Sequence, residues 1–250
     1  SKILNISREK LLTNQSIVNL KNITKFKSKI ARRSRSEPIA YIFQTKEFMG
    51  SDFFIDQKSL IPRPETELLI EPIMKIFKKK NLFFLEIGIG SGCIMISLLN
   101  HLKNSQGVGI DVCKKTLKNC RINLKKFKLE NRCKLFLKSV DKLSNIKFDL
   151  VVSNPPYIIK RDIKRLSKDI KRFEPTVALD GGNDGLDVIK KVIYKSKSIL
   201  KVNGMLALEI GFGQYKSVSQ ILKFFKFREK CLIKDYQNNI RCIISVMSNN

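Results

Sequence analysis

The tetrapeptide Asn154-Pro155-Pro156-Tyr157 follows the run Phe148-Asp149-Leu150-Val151-Val152-Ser153, and its residue types suit the capture of a planar –NH2 group. The Asn carboxamide oxygen and the Pro155 carbonyl are two acceptors for two donors. Tyr157 offers a flat face for the group to lie on. Neither proline can donate to a sheet ladder, so a strand over 148–153 must stop there. An amide or an exocyclic base amine is the kind of group such a corner holds. A Pro-Pro pair by itself is more often a plain strand-ending turn, so the reading depends on what the fold brings beside it.

A second set of residues supplies that neighbour. Gly88-Ile89-Gly90-Ser91-Gly92 comes directly after the apolar run Leu82 to Ile87. Glycines there let the backbone turn tightly and approach a ligand that a Cβ would push away. The spacing is G-x-G-x-G, and the place where a dinucleotide fingerprint wants its third glycine is Cys93. A smaller nucleoside cofactor fits better. No Walker lysine follows Gly92. Asp111 closes the next strand, where a carboxylate would accept both ribose hydroxyls. Each element alone is weak evidence, since a glycine turn is often only structural. Together they read as an S-adenosyl-L-methionine-dependent methyltransferase acting on a planar nitrogen.

The elements that must position these residues alternate as in a doubly wound α/β fold. Residues 1–36 read as helical, from Leu11, Leu12, Ile17, Val18, Leu20, Ile23, Phe26 and Ile30 at three- and four-residue spacing. Residues from Pro38 to Leu60 read as a β-hairpin turning around Met49-Gly50-Ser51-Asp52. Ile61-Pro62-Arg63-Pro64-Glu65-Thr66-Glu67 is a stiff connector able to start a helix. The expected organisation is a helical part (1–36), a hairpin and linker (37–67) and a catalytic domain (68–250). In the last, helices over 93–102, 114–128, 187–200 and 214–225 alternate with strands. These are 82–87, 107–111, 133–137, 148–153 and 205–210, with a closing hairpin near 230–234 and 241–247. Residues 158–186 are a long charged stretch, a candidate lid or substrate loop.

Composition sets wider bounds. Lys and Arg number 49 against 22 Asp and Glu, a formal net charge of +27. That favours a polyanionic neighbourhood, but the lysines are spread over nearly every segment, as biased codon usage also produces. Charge therefore decides nothing about the reaction. Cys93, Cys113, Cys120, Cys133, Cys231 and Cys242 contain no C-x-x-C pair and no neighbouring His cluster, so no metal site is expected. Reduced thiols and a cytoplasmic, bacterial-type setting are expected, with no membrane segment or signal peptide.

The chain resembles the release factor glutamine methyltransferases, the PrmC/HemK family. The resemblance rests on Ser36-Glu37-Pro38-Ile39-Ala40-Tyr41, on Leu60 to Glu67, on Glu86 to Gly92 and on Ser153 to Ile158. Phe173-Glu174-Pro175, Gly181-Gly182-Asn183-Asp184-Gly185 and Leu208-Glu209-Ile210-Gly211 extend it. The Pro-Arg-Pro-Glu-Thr-Glu connector discriminates best, because adenine methyltransferases generally lack it and sister enzymes acting on a ribosomal protein differ after its first proline.

The resemblance implies a Rossmann-like class I methyltransferase sheet of seven strands, its last hairpin partly antiparallel, with a helical N-terminal part and a hairpin linker. It implies N5-methylation of the glutamine amide in the Gly-Gly-Gln loop of peptide chain release factors. Gly88, Ile89, Gly90, Ser91, Gly92 and Asp111 would hold the cofactor. Asn154, Pro155, Pro156 and Tyr157 would hold the glutamine and form the catalytic corner, with Asn154 also beside the cofactor.

The helical part is shorter than the family's, a truncation that would remove docking surface. Where the family shows Asp-Trp near the adenine, this chain has Ser139-Val140-Asp141-Lys142, which puts Asp141 at an adenine-contacting position. The expected enzyme is a monomer that needs no nucleic acid. Adenine-N6 methylation of DNA or rRNA and a non-catalytic basic RNA-binding role stay open as alternatives. His101, near a helix end, reads as a surface residue, since no strong base is needed for the transfer.

Overall fold

The computed structural model describes residues 2–4, 6–13, 19–78, 80–143 and 146–247. Two short helical pieces open it, α1 (Arg8–Thr13) and α2 (Leu20–Ser34), with the Asn19 side chain capping α2 by accepting from the Asn22 N–H. Leu20, Ile23, Phe26 and Ile30 on α2 are exposed, and no α2 residue is buried. Helical periodicity is therefore present without a core to bury it. Ile17 and Val18 lie outside the described residues. The basic cluster at the end of α2 is tied inward: Arg32 holds the Glu37 carboxylate with both Nε (2.7 Å) and Nη2 (2.5 Å).

Helix α3 (Ile39–Phe43) takes the first part of the stretch expected to be a hairpin. Aromatic alternation misleads there, because Tyr41 and its neighbour Ile42 are both buried, and the Tyr41 hydroxyl donates to the Ser59 carbonyl at 2.8 Å. The hairpin itself is β1 (Thr45–Phe48) with β2 (Ser51–Phe54), joined through Met49 and Gly50, both at positive φ. That pair of left-handed residues matches the twist of a two-residue hairpin. The connector forms α4 (Pro64–Glu67), followed by α5 (Ile70–Phe77).

Then come β3 (Phe83–Ile87), α6 (Cys93–His101), β4 (Gln106–Asp111), α7 (Lys114–Lys126), β5 (Cys133–Leu137) and β6 (Phe148–Ser153). After β6 follow α8 (Lys168–Phe173), α9 (Asp187–Ile199), β7 (Leu200–Glu209), α10 (Tyr215–Phe224), β8 (Phe227–Lys234) and β9 (Ile240–Met247). β7 starts five residues before the expected Met205 and β8 three before Lys230, because pairing with neighbouring strands extends past the apolar runs. The sheet order is β5-β4-β3-β6-β7-β9-β8, with β9 antiparallel to both of its neighbours and the other pairs parallel.

Alternate residues feed two cores, as strand geometry requires. Phe84, Leu150, Val152, Met205, Ala207 and Ile244 meet α5, α6 and α7 on one face. Leu85, Val151, Leu206, Leu208 and Ile243 meet α9 and α10 on the other. The connections leave β3 in one direction and β6 in the other, so the carboxyl ends of these two neighbours open a crevice. There the Ser153 hydroxyl donates to the Ile87 carbonyl at 2.7 Å, fixing the two strand tips together.

Candidate active site

Two cavities meet at those tips. The larger, about 280 Å³, is lined by Gly88, Gly90, Ile110, Asp111, Val140, Asp141 and Asn154, among others. The smaller, about 190 Å³, is lined by Arg63, Asn154, Pro155, Pro156, Tyr157 and Ile158 with their neighbours. Leu60, Asn154, Pro156 and Ala178 face both. A more open groove of about 700 Å³ lies between α9 and α10, but its lining contains no carboxylate and no glycine turn. Convergent polar groups rather than size single out the paired cavities.

The glycine turn makes the larger cavity possible. Gly88 and Gly90 sit at φ +74° and +57°, and a Cβ built on either would meet nothing closer than 3.9 Å, so the space before them is open. Ile89 and Ser91 point into the protein and are buried, and Gly92 begins α6 as its N-cap. Of the five loop residues, then, Gly88 and Gly90 line the cavity and the other three support the turn. Asp111 at the tip of β4 accepts from the Gly90 N–H (3.1 Å) and the Cys113 N–H (2.9 Å). Burial raises its pKa against the pull of those donors. Ile110, Val112 and Val140 supply apolar walls. Asp141 lines the same cavity with a largely exposed side chain, 3.9 Å from Lys191. An open glycine cradle, a carboxylate at the next strand tip and apolar walls fit a nucleoside carrying a short charged tail.

The corner after β6 is held from behind. The Ile158 N–H donates to the Leu179 carbonyl (3.0 Å) and the Gly181 N–H to the Ile158 carbonyl (2.8 Å). A Cβ at Gly181 would lie within 2.9 Å of Gly185 O, Tyr157 Cα and Pro156 O, so only glycine lets this backbone close on Asn-Pro-Pro-Tyr. Gln214 donates to the Tyr157 and Gly185 carbonyls and accepts from the Gly211 N–H. The stretch 158–186 is thus the wall of the corner in its second half, with Glu174 gripping Arg63 (2.5 Å) and the Ile61 N–H (3.2 Å). That grip carries the Pro-Arg-Pro-Glu-Thr-Glu connector against the site.

A family model described as methyltransferase small domain matches residues 64–171. Release factor glutamine methyltransferase of Clostridium acetobutylicum is 34% identical over 253 residues, 98% of this chain and 88% of that protein. Release factor glutamine methyltransferase of Buchnera aphidicola is 39% identical over 217 residues, 86% of this chain and 77% of that protein. This chain belongs to the release factor glutamine methyltransferase family. In fold it is also similar to a methyltransferase from Pyrococcus furiosus, with a TM-score of 0.60 at 17% identity over 90% of this chain and all of that one.

Several residues that support these cavities have no role assigned from the sequence, although Glu86, Thr66 and Glu209 lie in the stretches that carry the resemblance. Glu86 is fully buried in β3 and accepts from the Met95 N–H at 2.8 Å, so it caps the start of α6. Burial pushes its pKa well above the usual carboxylate range. Thr116, Asn119 and Asn123 form one polar stripe on α7. Thr116 donates to the Lys58 carbonyl, Asn119 to Asp56 and Ser59, and Asn123 to the Phe54 and Ser91 carbonyls. They stitch the hairpin exit, and Lys58 to Leu60 with it, to the larger cavity. Their signal was legible: polar residues at i, i+3 and i+7 interleaved with the apolar Leu117, Cys120 and Leu124. Thr66 and Glu209 also belong to the site. The Thr66 hydroxyl donates to Glu209 Oε2 at 2.6 Å, and the Asn154 amide donates to Thr66 Oγ1 at 3.1 Å. His101 is exposed on α6, away from both cavities.

Proposed function

We propose that this chain transfers a methyl group from S-adenosyl-L-methionine to the side-chain amide nitrogen of the glutamine in the Gly-Gly-Gln loop of a peptide chain release factor. The observation that carries the reading is the meeting of the two cavities at Asn154 and Pro156. Gly88, Gly90, Asp111 and Asp141 hold the cofactor on one side, with Ile89, Ser91 and Gly92 shaping the loop. Pro155, Pro156 and Tyr157 receive the glutamine on the other, and Asn154 serves both.

A carboxamide nitrogen is a poor nucleophile, because its lone pair is delocalised into the carbonyl. Bound S-adenosyl-L-methionine supplies a methyl group already activated on a sulfonium. The Asn154 oxygen and the Pro155 carbonyl accept the two amide N–H groups and direct the remaining lone-pair density. Tyr157 fixes the plane. Alignment carries most of the rate, since oriented reactants reach effective molarities of ~10⁵ M or more. These fixed acceptors also meet the positive charge that develops on nitrogen. No general base is required before transfer: as the C–N bond forms, the C–S bonding pair would leave with the sulfur as a neutral thioether, and the methylated nitrogen would then release one proton to water.

The remaining assignments follow the same reading. Residues 68–250 are the methyltransferase domain, 37–67 the hairpin and linker, and 1–36 a helical arm. The enzyme works as a monomer on a protein substrate and needs no nucleic acid. Among the described residues no helix is long and apolar enough to cross a membrane. Mass spectrometry of the release factor after incubation with enzyme and labelled cofactor tests the reaction. A single methyl on the Gly-Gly-Gln glutamine is expected. Label appearing on adenine of added nucleic acid, with the release factor unmodified, would replace this reading by adenine-N6 methylation.

A further inference from the structure

A carboxamide is almost symmetrical in shape, so Asn154 can present either its oxygen or its –NH2 to the smaller cavity. Only the oxygen can accept an N–H from a substrate amide. The choice is made by the neighbour behind it. Thr66 Oγ1 lies 3.1 Å from the Asn154 amide nitrogen and 2.6 Å from Glu209 Oε2. A hydroxyl has one proton, and an ionised carboxylate only accepts. Thr66 must therefore donate to Glu209 and accept from Asn154. That turns the –NH2 of Asn154 toward Thr66 and its oxygen away, toward the substrate side.

We propose that the buried pair Thr66 and Glu209 is a positioning device that sets which end of the Asn154 carboxamide faces the glutamine. The inference rests on the reading that Asn154 holds that glutamine. The same carboxylate steadies the rest of the corner, since Glu209 Oε1 accepts from the Tyr157 hydroxyl at 3.2 Å. Both residues are almost wholly buried, at 2% and 0% exposure, and come from elements far apart in the chain, α4 and the end of β7.

The device has a direction only while Glu209 is ionised. Once protonated, Glu209 can donate to Thr66, which frees the Thr66 proton for the Asn154 oxygen and turns the amide the wrong way round. The groups around the carboxylate work against each other. Burial pushes its pKa up to about 7, the hydrogen bonds from Thr66 and Tyr157 and the charge of Arg241 on β9 lower it, and Glu65 on α4 raises it. The buried thiols of Cys242 on β9 and Cys93 on α6 also feel its charge.

The test measures methyl transfer to a release factor, with cofactor affinity followed by calorimetry, in the full chain. Thr66→Val keeps the shape and removes the hydroxyl. Its kcat should fall about a hundredfold, with cofactor Kd within about twofold of the unsubstituted enzyme. Thr66→Ser should recover most of the loss. The unsubstituted enzyme should lose kcat as pH falls through about 7, and this acid limb should vanish in Thr66→Val. Glu209→Gln, which cannot ionise and whose carboxamide can turn either its oxygen or its –NH2 toward Thr66, should show a kcat without the acid limb. An acid limb that survives in Glu209→Gln overturns the proposal, as does a Thr66→Val enzyme within threefold of normal. A loss shared equally between kcat and cofactor affinity also overturns it, because a mere packing latch would do that. If the unsubstituted enzyme methylates no release factor, the underlying assignment fails instead.

Discussion

The two sides of the site are built by different means. The side proposed for the cofactor comes from short stretches at consecutive strand tips, and its defining contacts are local: Asp111 holds the Gly90 N–H across one βαβ unit and the Cys113 N–H two residues on. The side proposed for the glutamine is assembled from α4, the tip of β6, the 178–185 stretch, the tip of β7 and β9. Thr66 reaches Glu209 and Asn154 across sequence separations of 143 and 88 residues. Binding a widespread cofactor needs only a turn and a carboxylate. Orienting a weak nucleophile needs acceptors held by the whole fold, and rigidity at that corner comes from contacts that no single segment contains.

This contrast can be broken by experiment. The largest effect is expected from Asn154→Ala, which removes an acceptor on the reacting nitrogen. Its kcat should drop by about 10²- to 10³-fold, with cofactor affinity changed far less. Comparable losses in both would make Asn154 a cofactor residue only, and the two sides would no longer be separable.

Gly181→Ala probes the backing of the corner. A Cβ there collides with three backbone neighbours, so strain of about 1–3 kcal/mol is expected. It should appear as a lower urea midpoint and a lower kcat, with the cofactor Kd little changed. On the other side, Asp111→Asn should weaken cofactor binding by about ten- to a hundredfold, the scale of a hydrogen bond to a charged group. At saturating cofactor its kcat should stay near normal. A kcat loss as large as that of Asn154→Ala would sharpen the picture into one coupled site.

The last effect is on stability rather than on rate or affinity. Glu209 has a folded pKa near 7 against an ordinary 4.5, so the folded chain binds the extra proton between those values. Its contribution to stability is then fully present below about pH 4.5 and is lost as pH rises through about 7, at most about 3 kcal/mol. The urea midpoint of the unsubstituted enzyme, relative to Glu209→Gln, should fall between pH 5 and pH 8. Activity has the opposite sign over the same window, because the ionised form orients Asn154. A midpoint difference that rises with pH would show that the carboxylate is not buried as described.

Much of the frame was legible beforehand. The βαβ alternation from β3 to β6, the glycine turn with Asp111 beyond it, and the halt at Pro155 all follow from periodicity and backbone chemistry within a few residues. Where the reading slipped, a partner elsewhere decided. Ile39–Phe43 became a helix because Tyr41 reaches Ser59 and buries with Ile42. The apolar stripe of α2 announced a helix but not that its face would stay exposed. The 158–186 stretch looked like a loop until Glu174, Gly181 and Gln214 tied it to the connector and the corner.

From sequence alone come the parallel strands and the glycine turn, along with the chemical identity of the Asn-Pro-Pro-Tyr corner. Each depends on side-chain spacing or on a residue's own torsional limits, which are local properties. The direction in which Asn154 points is different in kind. In our proposal it is set by the proton that Thr66 donates to Glu209, and nothing in either residue's neighbourhood along the chain says that they touch. Only folding brings a buried carboxylate, a hydroxyl and an amide into a line, and only there does low polarity make a single hydrogen-bond direction hold.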